Sequence, residues 1–381
     1  MNAQHLLLDE SIRSLPLDII ENILWRLPIE EIVRASILCK EWRYIWTKIP
    51  KVAFTEDLFD ESSDENQLHI VEQECENQPS ERKKTSRRCR LFNAIYQFLI
   101  LHRGPIVDFT LSMRTMSPYD TSFDCVQIDQ ILLHLSRKNT FLASSTLNGF
   151  GSLTTLCLEY VDICKKVLMQ ILSNNPLLKS FTMLTGQADT IGIYHDDEYS
   201  TINALFQCLP VIEHLTLCVW DIQSFIGETV PQKLETSLVH LKYLRLERMC
   251  FLDNDWLRFL VLMIRSSPNL EKLKIEMLCE DTSHWMYFIE DDIYPVRMQD
   301  YSDIWLGHLV ELEIEDLIIK KPNLDFVKLI LAKSPVLKTV RLMSYNKDAE
   351  LNLLDALLPS PRASPMVEIV VVVKEPSYSS C

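Results

Sequence analysis

One spacing of apolar residues, LxxLxL, recurs through most of this chain and leaves it few ways to fold. In SPNLEKLKIE (267–276) it falls on Leu270, Leu273 and Ile275, and the last two point to one face of a short strand. The preceding DNDWLRFLVLMIRSS (253–267) repeats Trp256, Leu257, Leu260, Val261 and Ile264 at the helical period, behind the capping candidates Asp253 and Asn254. Counting Leu270 as position one, matching frames begin at Ile106, Leu153, Leu178, Ile212, Leu241, Leu309, Leu337 and Met366, and the starts from 153 onward are 25 to 39 residues apart. Pro176, Pro210, Pro268 and Pro335 each stand two residues before position one, where the preceding helix has to have ended. Each unit is a helix followed by a strand that cannot bury its apolar face alone, so successive units must stack.

Such a period is the signature of a leucine-rich-repeat solenoid, of the long-period kind in which a true helix covers each strand. The expected fold class is α/β, with an all-α module ahead of the repeats. A formal net charge of −15 argues against a nucleic-acid surface as the main function. The 11 cysteines, scattered and without CxxC pairs, suit buried thiols in a reducing compartment. The start MNAQHLLLDE lacks a basic flank and a long apolar segment, so neither a signal peptide nor a membrane span is expected, and the nucleus or cytoplasm is the expected location.

Residues 11–50 depart from the repeat. Ile19, Ile20, Ile23, Leu24 and Leu27 form a helical stripe between Pro16 and Pro28; IEEIVRASILC follows, and a third helix begins near Lys40 with Trp42, Ile45, Trp46 and Ile49 on one side. Three short helices carry more large apolar side chains than so small a unit can bury, so some of that surface needs a partner or caps the first repeat. LPLDIIENILWRLP, then Arg34, Ala35 and Ser36, then CKEWRYIW (39–46), closely resembles the F-box motif in its plant form. The resemblance implies docking on a Skp-type adaptor that joins a cullin ubiquitin ligase, while the rest of the chain selects a protein substrate. By position it assigns Leu15, Pro16, Ile19, Ile20, Ile23, Leu24, Leu27, Pro28 and Trp42 to the adaptor interface or its immediate support.

Residues 51–90 read as a charged, flexible linker. Nine acids and no Lys or Arg lie between Glu56 and Glu76, and RKKTSRRCR then supplies six bases, a block with the composition of a nuclear signal as well as of ordinary solvated surface. The solenoid is expected over 91–381, entered by a helix on Phe92, Ile95, Tyr96, Leu99 and Ile100. From 305 onward, LVELEIEDLIIKKPNLDFVKLILAKSPVLKTVRLM and SPMVEIVV are similar to the second half of the FBD region, so the whole resembles the plant F-box/FBD/LRR group. Phe326, Val327, Ile330 and Leu331 should line one more helix.

Nothing in the chain has the pattern of an active site, a metal site or a cofactor site. There is no Walker loop, GxGxxG, GxSxG or HExxH, and the cluster His195, Asp196, Asp197 and Glu198 lacks a full ligand set. The function expected is that of a non-enzymatic substrate receptor in a Skp-cullin-F-box ligase, with no nucleic-acid or membrane partner. A hormone co-receptor of the same class and a plain scaffold or inhibitor are the alternatives. Positions three, five and seven of each frame face away from the core and onto the concave sheet. There Tyr243, Arg245, Lys272 and Lys274 present a basic patch beside Glu311 and Glu313, with Arg341 beyond, and Trp285 and Tyr287 stand in the long insertion 278–305. These are the candidate substrate contacts, with the competing reading that the charges only keep the sheet soluble.

Overall fold

The computed structural model describes residues 16, 19, 20, 23, 44–56, 79–113, 128–133, 150–161, 163–184, 201–226, 229–251, 254–278, 301, 303–345 and 349–374. Among these residues ten parallel strands follow one another in chain order: β1 (Lys51–Thr55), β2 (Asp108–Ser112), β3 (Thr155–Glu159), β4 (Ser180–Leu184), β5 (His214–Cys218), β6 (Tyr243–Met249), β7 (Lys272–Met277), β8 (Glu311–Glu315), β9 (Thr339–Ser344) and β10 (Glu368–Val373). The helices among the described residues include α1 (Pro79–Leu101), α2 (Lys165–Ser173), α3 (Ile202–Gln207), α4 (Val219–Ile226), α5 (Asn254–Ser266), α6 (Lys321–Lys333) and α7 (Ala349–Leu357). No described helix is long and apolar enough to cross a membrane.

All nine frames read from the spacing carry a strand that begins at position three. From Ile106 to Leu337 the residues at positions one, four and six are buried without exception. The pleat sends four and six inward, and position one fills the turn that enters the strand. The ninth frame is different. Met366 is 79% exposed and Val367 is buried in its stead, although Ile369 still pairs with Val340 and Val371 with Leu342. Among the described residues no further strand follows β10.

The chain divides into two compact units, residues 1–115 with 122–157, and residues 116–121 with 158–381. In the first, β1 pairs in parallel with β2, and Phe54 meets Phe98 of α1 edge-on at 5.4 Å and Phe109 of β2 at 6.3 Å. Arg103 and Gly104 both donate backbone N–H bonds to the Thr47 carbonyl. A Cβ on Gly104 would lie 2.6 Å from the Lys48 carbonyl oxygen, so only glycine permits this approach.

Here the expected boundaries are corrected. Lys51–Thr55 is a strand, and α1 begins at Pro79, so the supposed linker 51–90 contributes a strand and half a helix, and the parallel strands begin at 51 rather than after 91. The cause is visible in IPKVAF, where Ile49, Val52 and Phe54 occupy positions one, four and six and are all buried. The first turns of α1 are charged and lack an apolar stripe to announce them, which is why they read as loop. Residues 57–78, with most of the acidic block, lie outside the described residues.

In the second unit β4 through β9 repeat one arrangement. Each strand pairs with the next at equivalent positions, Leu215 with Leu244, Leu273 with Leu312, Leu312 with Val340. Between strands the helices cover one face, and α5 is buried along Trp256, Leu257 and Phe259 through Ile264. It stops where the proline rule requires, with Ser267 N–H bonded to Ile264 and Leu270 N–H to Ser267. Phe326, Val327, Ile330 and Leu331 are the buried face of α6, as expected.

Candidate functional site

The uncovered face of the second unit carries the charges that the spacing places at positions three, five and seven. Parallel register sets Lys272 beside Glu311 and Lys274 beside Glu313, but it also sets like beside like, Arg245 beside Lys274 and Glu276 beside Glu315. Like charges directly opposite each other are destabilising. The side chains resolve this by pairing sideways and diagonally. Arg341 meets Glu311 at 3.0 Å, Lys272 meets Glu311 at 3.2 Å and Glu313 at 3.7 Å, Lys274 meets Glu313 at 2.8 Å and Glu315 at 3.3 Å, and Lys374 meets Glu315 at 3.8 Å and Asp316 at 3.3 Å. Acid and base therefore alternate from β7 to β10 in one lattice, and the expected basic patch is an interleaved surface.

The middle of the lattice is the most sheltered. Burial pulls the Glu313 carboxyl upward, but the hydrogen bond and charge of Lys274, with Lys272 and Arg341, outweigh it and hold the group below the usual carboxylate range. Lys274 is affected the opposite way: burial lowers it, while the bond to Glu313 and the charge of Glu315 raise it overall. Both stay charged, and each is committed to the other.

A second cluster sits at the end of β6. The β6–β7 register slips between Leu246 and Met249, so Glu247 and Arg248 together oppose Glu276, and Arg248 takes a positive φ of 59°. Such a bulge turns side chains out of the regular pleat. Arg248 lies over the Trp220 ring at 4.4 Å, while Arg245 is shared between Glu247 at 2.8 Å and Glu276 at 2.9 Å. Glu247 keeps 13% of its side-chain surface in water. Desolvation and the neighbouring Glu276 push it up to about 7 in spite of Arg245 and Arg248, because one arginine divided between two carboxylates cannot satisfy both. The Tyr160 hydroxyl, also at φ 54°, is raised by burial and by the same Glu247.

Of the residues expected to touch substrate, Tyr243, Arg245, Lys272, Lys274, Glu311, Glu313 and Arg341 thus share one face, with Tyr243 edge-on to His214 at 6.1 Å. Trp285 and Tyr287 lie outside the described residues. Spacing alone did not point to Trp220, Arg248, Lys374 or Asp316. The first two depend on the bulge and on the turn into α4, and Asp316 takes a positive φ of 54° just beyond its strand. On the helical side, a cavity of about 660 Å³ lies between residues 229–232 and α5, but its two arginines are engaged, Arg258 by Asp255 at 3.2 Å and Arg265 by Asp303 at 2.7 Å. Among the described residues no group of His, Cys, Asp or Glu has the arrangement of a metal site.

Four of the nine residues assigned to the adaptor interface are described. The Ile19 and Ile20 N–H groups both bond to the Pro16 carbonyl, opening a helix. Ile19 is 43% and Ile23 50% exposed, one turn apart on the same face, and Pro16 is also exposed, while Ile20 is buried. Leu15, Leu24, Leu27, Pro28 and Trp42 lie outside the described residues.

Comparison with known proteins places an F-box domain over residues 12–52. An F-box/FBD/LRR-repeat protein of Arabidopsis thaliana is 26% identical over 94% of this chain and 97% of its own length. A putative FBD-associated F-box protein of the same plant is 21% identical over 90% of this chain and 74% of its own length. Among solved structures, the leucine-rich repeat-containing protein LegL7 of Legionella pneumophila matches 71% of this chain and 84% of its own at 17% identity, with a TM-score of 0.30.

Proposed function

We propose that this chain, an F-box protein with leucine-rich repeats homologous to the plant F-box/FBD/LRR group, is the substrate-recognition subunit of a Skp-cullin-F-box ubiquitin ligase. The observation that carries the reading is the F-box itself, over residues 12–52, leading directly into the parallel strands that begin at Lys51. The F-box binds the Skp-type adaptor, and through it the cullin. Two exposed isoleucines one turn apart, Ile19 and Ile23, supply the apolar surface such a contact requires, and buried Ile20 supports it from behind. The chain does no chemistry of its own. It holds a protein substrate, and the ligase modifies it in the nucleus or cytoplasm.

Recognition is assigned to the charged concave face. Within it the roles divide by commitment. Lys274 and Glu313 brace the lattice, whereas Arg341, Lys272 and Tyr243, at its more exposed margins, meet the substrate. Rim charges of this kind act mainly on association rate and on the choice among partners.

Co-purification with a Skp-type adaptor tests the reading. Replacing Leu15 and Pro16 together by Ala, or Ile19 and Ile23 together by Asp, should abolish adaptor binding and leave the circular dichroism of the solenoid unchanged, since each large side chain buried at the interface contributes roughly 1.5 to 3 kcal/mol. Undiminished adaptor capture by both double variants removes the ligase assignment.

A further inference from the structure

Among the described residues, β10 stands at the end of the strand order and pairs on one side only, with β9. Glu368 N–H bonds to the Lys338 carbonyl and Lys374 N–H to the Ser344 carbonyl, both at 2.9 Å. Backbone groups alternate sides along a strand, so those of residues 368, 370, 372 and 374 serve β9 and those of Ile369, Val371 and Val373 point the other way. No described strand takes them up.

Natural sheets blunt such an edge with charge, proline or a bulge. Here the run from Ile369 to Val373 is wholly apolar, with Val372 41% and Val373 37% exposed, and charge appears only at its two ends, Glu368 and Lys374. That arrangement is symmetric in a way that matters. If the strand meets a second copy of itself antiparallel about Val371, then Val371 faces Val371, Ile369 faces Val373, and the three residues with outward backbone groups become hydrogen-bonded pairs. The same register sets Glu368 opposite Lys374 at both ends and Val370 against Val372 between them. Glu368 is exposed, and Lys374, although it reaches Asp316 and Glu315, keeps 31% of its side chain in solvent.

We propose that the β10 edge is an interaction surface for a second copy of this chain, the two strands pairing antiparallel about a twofold axis at Val371. Six backbone hydrogen bonds and two ion pairs then join the copies, and the valines exposed in the single chain are covered. Charge favours a second copy over an unrelated extended peptide, because the strand's own reverse supplies a lysine for its acidic end and an acid for its basic end. The contact is one strand wide, well under the area of a standard interface, so association is reversible, with a dissociation constant on the order of micromolar. This surface meets the charged face only at Lys374, which also reaches Glu315 and Asp316, and it is independent of the adaptor assignment.

Sedimentation of the full-length chain from about 1 to 100 µM tests it. The parent should pass from 44.4 kDa toward twice that mass. Val371→Pro removes an N–H that the single chain does not use within its own sheet, and Glu368→Lys sets two lysines opposite each other; each should weaken association at least about tenfold without lowering the melting temperature. Adding Lys374→Glu to Glu368→Lys restores opposite charges and should recover most of the loss. A parent that stays monomeric throughout, or single variants that associate as tightly as the parent, overturns the proposal. A monomeric parent that binds an extended peptide in a manner lost in Val371→Pro assigns the edge to a peptide and rejects the second copy.

Discussion

Glu247 makes the stability of the charged face depend on pH in an unusual direction. Its carboxyl lies 2.8 Å from Arg245, which by itself would hold it ionised, yet burial and Glu276 push it up to about 7 from the usual 4.5. The folded chain therefore keeps a proton that the unfolded chain has released, and stability falls as pH rises from about 4.5 to 7, then levels off. The gap between those two values corresponds to at most about 3.4 kcal/mol, and residual contact with solvent brings the expected effect to about 2 kcal/mol. Glu247→Gln fixes the neutral form. It should exceed the parent by less than about 1 kcal/mol at pH 5 and by about 2 kcal/mol at pH 8, with Arg245 still held by Glu276. Carboxylates shifted the other way, such as Glu313, lose their contribution only as pH falls below the normal range, so the difference between the two proteins isolates residue 247. Urea unfolding followed by tryptophan fluorescence at several pH values between 5 and 8 supplies the comparison. Parallel pH profiles for the two proteins, or a variant weaker than the parent at pH 8, would show that Glu247 is ionised and held by Arg245, and the account of the cluster would be wrong.

Three further outcomes follow from packing. Gly104→Ala forces a methyl group onto the Lys48 carbonyl and should cost about 2 kcal/mol or more, seen as a lower urea midpoint for the first unit. Lys274→Met leaves Glu313 and Glu315 sheltered without the cation between them and should cost about 2 kcal/mol, part of it recovered when Glu313→Leu is added, since the remaining Glu315 still meets Lys374 at 3.8 Å. Asn175→Ala removes the buried bond from Nδ2 to the Ile171 carbonyl at 2.7 Å and should lower stability by about 1 to 2 kcal/mol, measurable as a drop in melting temperature.

Much of this molecule is legible in its sequence because each strand announces itself with three apolar residues at fixed spacing, and Leu270, Leu273 and Ile275 behave as that spacing demands. Ile49, Val52 and Phe54 carry the same signal, but it stands alone beside a helical module and ahead of a polar stretch, so by itself it does not announce a coil. The outward residues are placed by alternation, yet which charge serves which is a property of neighbouring strands. It needs the register between coils: Lys272 and Lys274 look like a basic patch until Glu311, Glu313 and Glu315 are set beside them. The bulge at Glu247 and Arg248 leaves no mark in spacing, because it is an extra residue in one strand relative to another. Nothing in the sequence distinguishes Ile19 and Ile23 from Ile20, since all three share an apolar stripe and only the packing behind it separates support from surface.

The frames from Leu153 to Met366 begin 25 to 39 residues apart, yet from β4 to β10 each pairing sets position three against position three. Variation in length is thus absorbed wholly between the end of one strand and the start of the next frame. For the history of such a chain the two kinds of sequence obey different rules. A segment between frames can lengthen, shorten or be exchanged while every neighbouring strand keeps its alignment, so novelty accumulates there at little cost. Inside the six residues of a frame a single insertion reverses inward and outward for all that follow in that strand, placing charge in the core and leucine in water. Lineages of this protein should therefore diverge by loop replacement and by substitution at the outward positions, with the spacing of the frame itself left untouched.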